Sequence, residues 1–260
     1  MKARTALSIQ RDVIFAIFLR EMNARFSRYT FGNIWIILEP LVMIGMFMVL
    51  FGLRGRGEFG FVEPPVFVYT AFLPFRLLWN STMRANMGAA GAVRGLMGFR
   101  QVKLFDVYLA RSVVEGGVFL VSATVVGMLL WWGGLNVIPN DFLLVFAYCA
   151  LFWLFAVSFG ILASVMSAFS PEITKLINLM TMPLMFVSAV FFPMTLIPED
   201  LHSLFAKNPI LHAMELIREA WFEQYTSPVA DARYLAAWTL GLLTLAISGY
   251  RLRWQRMSQR

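Results

Sequence analysis

FLLVFAYCALFWLFAVSFGILASVMSAF, residues Phe142–Phe169, carries no charged side chain at any of its 28 positions. Crossing the hydrocarbon core of a bilayer takes ~20 mostly apolar residues. A helix is the single-segment structure that satisfies its own backbone there. Five further stretches of the same character lie on either side: Ile34–Leu53, Val66–Met83, Ser112–Trp132, Leu176–Phe192 and Tyr234–Tyr250. Of the six in chain order, the second and fifth hold Pro74 and Pro183, and the second also holds Arg76. Neighbouring helices can re-satisfy the carbonyl that such a proline frees. The expected fold is therefore an all-α membrane protein of six transmembrane helices. Neither a repeat nor a linker divides it, so residues 1–260 form one domain. Residues 1–33 are an interfacial segment, 34–250 the six-span bundle and 251–260 a tail.

The whole composition agrees: 59% hydrophobic, 14% charged, mean hydropathy +0.69. A soluble domain cannot hide that much apolar surface. The net charge of +7 is patchy, and the great majority of the 22 lysines and arginines fall in the segments that share a side with the termini. By the positive-inside rule both termini are cytoplasmic. The run Val13–Leu19 is too short to span and no small-residue cleavage site follows, so the N-terminus is expected to remain. The single cysteine, Cys149, reads as a small apolar packing residue.

Three segments between the spans have their own character. Ser8–Tyr29 repeats Phe15, Phe18, Met22 and Phe26 at steps of three and four between arginines, the pattern of a helix lying in the headgroup layer. It reads as a surface anchor, with docking of an anionic lipid-linked substrate as an additional role. Arg20, Arg25, Arg28, Tyr29 and Trp35 are the residues for that role, because arginine grips phosphate bidentately and aromatic rings can stack on sugar faces. Arg94–Asp106 (RGLMGFRQVKLFD) mixes wet charges with apolar knobs. It is either an ordinary loop or a helix that plugs into a soluble partner. Thr195–Thr226 faces outward. Pro198 with two acids opens one short helix, Asn208-Pro209 breaks it and opens a second, and Glu215 and Arg218 lie on that second piece. Two half-length helices outside a bundle read as re-entrant elements that close a path, or as a plain cap.

Catalytic chemistry has little to stand on. None of Lys2, Lys103, Lys175 and Lys207 follows a glycine, so the chain has no phosphate-binding P-loop. His202 and His212 do not converge with carboxylates or cysteines into a metal or triad pattern. Glu39, Arg76 and Glu115 lie within spans, where ionisable groups are costly and are functional candidates by default. Structural ion pairing competes with that reading for Glu39 and Arg76, and a local pair with Arg111 or snorkelling from near the span's end accounts for Glu115.

Four blocks of the chain resemble the permeases of capsular polysaccharide ABC exporters, of the type-2 exporter class: FLREMNARFSRYTFGNIWIILEP (Phe18–Pro40), PPVFVYTAFLPF (Pro64–Phe75), RGLMGFRQVKLFDVYLARSVVE (Arg94–Glu115), and SPEITKLINLMTMPLMFVSAVFFPMTLIP with NPILHAMELIREA (Ser170–Ala220). The resemblance implies a bacterial inner-membrane homodimer, with no catalytic site or cofactor of its own, served by two copies of an ATPase subunit that bind ATP and Mg. It implies a coupling helix over Arg94, Met97, Phe99, Arg100, Lys103 and Phe105, and external gate helices over Pro198, Asn208, Pro209, Glu215 and Arg218. It implies periplasmic and outer-membrane partners and an anionic, lipid-linked polysaccharide cargo; Glu39 and Arg76, as ionisable groups within spans, join the candidate residues for its lipid headgroup. Neither a metal nor a nucleic acid is expected. O-antigen and teichoic acid exporters share this plan. A stand-alone secondary transporter or channel is the competing class, and the inverted repeats that would favour it are not evident.

Overall fold

The computed structural model describes residues 6–26, 32–53, 63–92 and 103–259. All regular structure among them is helical. The elements are α1 (Ala6–Phe26), α2 (Gly32–Leu53), α3 (Pro64–Leu73), a π-helical segment Pro74–Ser81, α4 (Thr82–Met87), α5 (Ala89–Ala92), α6 (Leu104–Trp132) and α7 (Phe142–Ser167). After these come α8 (Glu172–Val187), a short 3-10 turn Met194–Leu196, α9 (Glu199–Phe205), α10 (Pro209–Trp221) and α11 (Ala232–Gln259). Among the described residues three helices are long and apolar enough to cross a membrane: Leu104–Trp132, Phe142–Ser167 and Ala232–Leu252. Ile34–Val49 is a shorter apolar helix.

α7 is the hub. α11, α4, α10 and the π-helical segment all pack on it, while α1 packs on α6 and α2 on α3. The tightest approach is at Gly160 of α7. A Cβ there would lie 2.9 Å from Asn86 Cβ and 3.0 Å from the Met83 carbonyl oxygen. Trp79 fills the next layer, its ring 5.3 Å from Phe155 and 5.0 Å from Phe159. Asn86 donates to Ser112 Oγ (2.9 Å) and Tyr108 to Ser164 Oγ (2.8 Å), so these polar side chains link one helix to the next. Buried polar groups left unpaired in an apolar interior would cost several kcal/mol.

The second expected span is one continuous helical path across α3, the π-helical segment and α4. Pro74 explains the change of winding. It has no N–H to give to the carbonyl one turn back, and the ladder from there to Ser81 is wound one residue wider per bond. The fifth span is shorter than its sequence reading. α8 stops at Val187 after 16 residues, about 24 Å at helical rise, and residues 188–192 turn away. Ala189 sits at φ 52°, a left-handed cap without the glycine that usually announces one.

Candidate functional site

One face of α1 is written against α6. Gln10 Nε2 donates to Asp106 Oδ1 (3.2 Å), Arg111 Nη2 pairs with Glu21 (3.0 Å) and Arg25 Nη2 pairs with Glu115 (3.3 Å). Ile17 is buried between these polar contacts. Glu115, expected to pair locally with Arg111, instead takes Arg25 from 90 positions away. Arg111 reaches Glu21 and the Ala85 carbonyl (2.7 Å), so it bridges α1 and α4. Arg25 is therefore held by a carboxylate that is itself only 7% exposed. Arg20 and Phe15 lie on the outward face of α1, and Trp35 is exposed at the start of α2. Arg28 and Tyr29 lie outside the described residues.

A second cluster joins α2 to the π-helical segment. Arg76 grips Glu39 with both arms, Nε to Oε1 at 2.7 Å and Nη2 to Oε2 at 3.1 Å. Both side chains are about one-third exposed, at 35% and 32%. The two intramembrane candidates of the sequence thus form one bidentate pair, the strong form of a charge-assisted contact. One turn on, Asn80 Oδ1 accepts from Arg84 Nε at 2.7 Å.

The third cluster is buried in the hairpin of α9 and α10. Asn208 caps α10 by accepting from Ile210 N–H (3.0 Å), with Pro209 in the first helical position, and its amide donates to Ser188 Oγ (2.8 Å). Pro198 opens α9 from an extended conformation. Arg218 and Glu215 are fully buried. Arg218 donates to Glu215 Oε1 (2.9 Å) and to the carbonyls of Ala189 and Val190 (2.7 Å each). Its guanidinium lies over the Phe67 ring, 3.7 Å from the centroid. Tyr225 Oη donates to Glu215 Oε2 at 2.6 Å. Burial raises the Tyr225 pKa well above that of a free phenol and the Glu215 charge raises it further, so the phenol stays the donor. His212 accepts from Asp231 N–H at Nδ1 (3.0 Å). That assigns the proton to Nε2, which faces the Ala206 carbonyl at 2.7 Å. The hairpin is thereby fastened to the turn after α8, to α3 and to the start of α11.

An apolar cavity of about 600 Å³ opens between α3, α6, α7 and α10, lined among others by Phe119, Trp131, Phe142, Trp153 and Trp221. Tyr69 donates to the Ala123 carbonyl and Trp153 to the Ser112 carbonyl, while the Trp221 indole N–H is buried without a partner among the described residues. Such a wall suits hydrocarbon and offers a sugar little to hold. Cys149 borders it as a packing residue, as expected. Of the expected coupling residues, Lys103 is exposed just before α6, and Phe105 rests against Tyr250 of α11 with ring centroids 5.8 Å apart. Arg94, Met97, Phe99 and Arg100 lie outside the described residues. Among the described residues no group of three or more potential metal ligands is found.

With the fold and these clusters in place, comparison with known proteins fixes the class. The family described as ABC-2 type transporter matches residues 12–222. The chain belongs to this family, whose members are the membrane subunits of ATP-binding-cassette transporters. Among individual relatives, the polysialic acid transport protein KpsM of Escherichia coli is 29% identical over 255 residues, covering 98% of both chains. The capsule polysaccharide export inner-membrane protein CtrC of Neisseria meningitidis serogroup A is 26% identical across 94% of this chain and 91% of its own. BexB of Haemophilus influenzae, with the same description, is 22% identical across 94% of this chain and 92% of its own.

Proposed function

We propose that this chain is the permease subunit of an exporter that moves lipid-linked capsular polysaccharide across the bacterial inner membrane, powered by a separate ATPase that binds ATP and Mg. The observation that carries the reading is the end-to-end match to a polysialic acid transport protein, 98% of each chain. In this reading both termini are cytoplasmic, and α2, the helical path of α3 and α4, α6, α7, α8 and α11 are the six spans. α9 and α10 form the re-entrant external gate. The segment before α6 and the first turn of α6 meet the ATPase through Met97, Phe99 and Phe105, with Arg94, Arg100 and Lys103 around them.

Two copies are needed to enclose a polymer. α2 exposes Ile34, Leu38, Val42, Met46 and Val49 at steps of three and four, and α8 exposes Leu176, Leu179, Met180 and Phe186. These outward stripes support a homodimer closed along α2 and α8. Arg20, Arg28, Tyr29 and Trp35 receive the anionic head of the cargo. Arg25 serves there while it also holds Glu115, and Glu39 and Arg76 line the way in. Periplasmic and outer-membrane proteins continue the route.

The deciding experiment is complementation. The chain, expressed with a partner ATPase subunit, is expected to restore surface capsule to a bacterium lacking its own capsule permease. Capsule retained inside the cell despite correct membrane insertion of the chain would overturn the assignment.

A further inference from the structure

The π-helical segment and α4 carry Arg76, Asn80 and Arg84, each four residues after the last. Asn80 is buried along with Phe75, Leu78 and Trp79, while Arg76, paired with Glu39 of α2, and Arg84 reach the surface on either side of it. The arginine pair thus lies at the margin of the core, backed by Asn80 from inside. Its charge does not balance. Glu39 is the one carboxylate paired with it among the described residues, and it pairs with Arg76. Arg84 is exposed and, among the described residues, gives only its Nε, to neutral Asn80. The remaining Arg76 nitrogen and both terminal nitrogens of Arg84 make no hydrogen bond to another described residue. A guanidinium carries five donors in a fixed fork, so the pair holds unused donors and one uncompensated positive charge at the margin of an apolar bundle. Widened, π-type turns of this kind recur at functional sites.

We propose that Arg84 and Arg76, with buried Asn80 orienting Arg84, form a binding seam for the phosphodiester of an anionic lipid headgroup, with Glu39 acting as the resident counter-ion that the headgroup displaces from Arg76. Arg84 receives the phosphate through its free fork. Passage to Arg76 frees Glu39, which then repels a second anion. The seam deepens the export reading, since it names the group on the lipid end of the cargo that this chain holds, and it rests on that reading for its biological meaning. Binding is measured without export, however, so the two fail separately.

The full-length chain is placed in nanodiscs of mixed phosphatidylglycerol and phosphatidylcholine, and the lipids retained on release are counted by native mass spectrometry. Arg84→Gln is expected to lower phosphatidylglycerol retention about tenfold, the scale of one lost charge-assisted contact. Arg84→Lys, which keeps charge without the fork, falls between Arg84→Gln and the unmodified chain. Glu39→Gln is expected to raise retention, because it removes the competitor while leaving an oxygen for Arg76. Phosphatidylcholine retention stays unchanged throughout. Retention of phosphatidylglycerol that is the same in Arg84→Gln, Glu39→Gln and the unmodified chain overturns the seam. Loss of the lipid on adding millimolar inorganic phosphate overturns the headgroup assignment in favour of a soluble phosphate. Arg84 is exposed and Glu39→Gln conserves shape, so neither test depends on a variant that fails to fold.

Discussion

Arg218 shows what a single residue can fasten. Its guanidinium joins a carboxylate, two carbonyls and an aromatic face, all out of contact with solvent. Removing one member of a buried pair leaves the other charge uncompensated, at a cost of about 3–5 kcal/mol. Arg218→Ala is thus expected to lower the thermal unfolding midpoint of the detergent-purified chain substantially. Arg218→Lys recovers little of it, since an ammonium cannot serve two carbonyls and Glu215 in one plane. Equal melting of Arg218→Ala and the unmodified chain would refute this role. The sequence placed Arg218 on the gate helix but gave no hint of its burial. Two of its partners are backbone oxygens at Ala189 and Val190, exposed by a left-handed turn that no glycine marks. Arg25 and Glu115 were each singled out, but not as partners, because nothing local links positions 90 apart. Glu39 and Arg76 were read correctly as candidates for an ion pair, since charges inside apolar spans have few other options.

Among the elements, the contact of α4 with α7 depends on Gly160. An alanine Cβ would press on the Met83 backbone, which cannot step aside as a flexible side chain would. Gly160→Ala is expected to cost roughly 1–3 kcal/mol as overpacking. Gly241→Ala in α11, where nothing lies within 4 Å of the added atom, should be neutral or stabilising by roughly 0.5–1 kcal/mol, as removing a mid-helix glycine allows. Parallel denaturation of the two variants checks the contrast, and a Gly160→Ala chain as stable as Gly241→Ala would contradict the packing. The long uncharged α7 was plain in the sequence because apolar bias is a signal summed over many residues. The end of α8 was not, because residues 188–192 are as apolar as a span while their backbone turns aside to meet Arg218. The break at Asn208-Pro209 was legible for a local reason: a cap and a first-turn proline act on their own neighbours.

The whole molecule offers two further tests. Cysteines at Met43 or Met180 in a Cys149-free background are expected to cross-link within membranes, or to accept label from the path, if copies meet along α2 and α8. A chain that exports fully while remaining monomeric would refute the dimer. Phe99→Ala is expected to insert normally and to uncouple the partner's ATP hydrolysis from export. Unchanged co-purification, hydrolysis and export would remove Phe99 from the contact.

The clasp between α1 and α6 has a mechanical corollary. Under the proposed coupling, force from the ATPase arrives at the start of α6, and the two ion pairs with Gln10 oblige α1 to travel with it. Phe15 and Leu19 on the outward side of α1 then act as a paddle dragged through the lipid leaflet, so the viscosity and lateral pressure of that leaflet become part of the load on each stroke. Turnover in reconstituted bilayers should slow as that leaflet is made more crowded, and cutting the clasp with Glu21→Gln and Glu115→Gln together should remove that sensitivity.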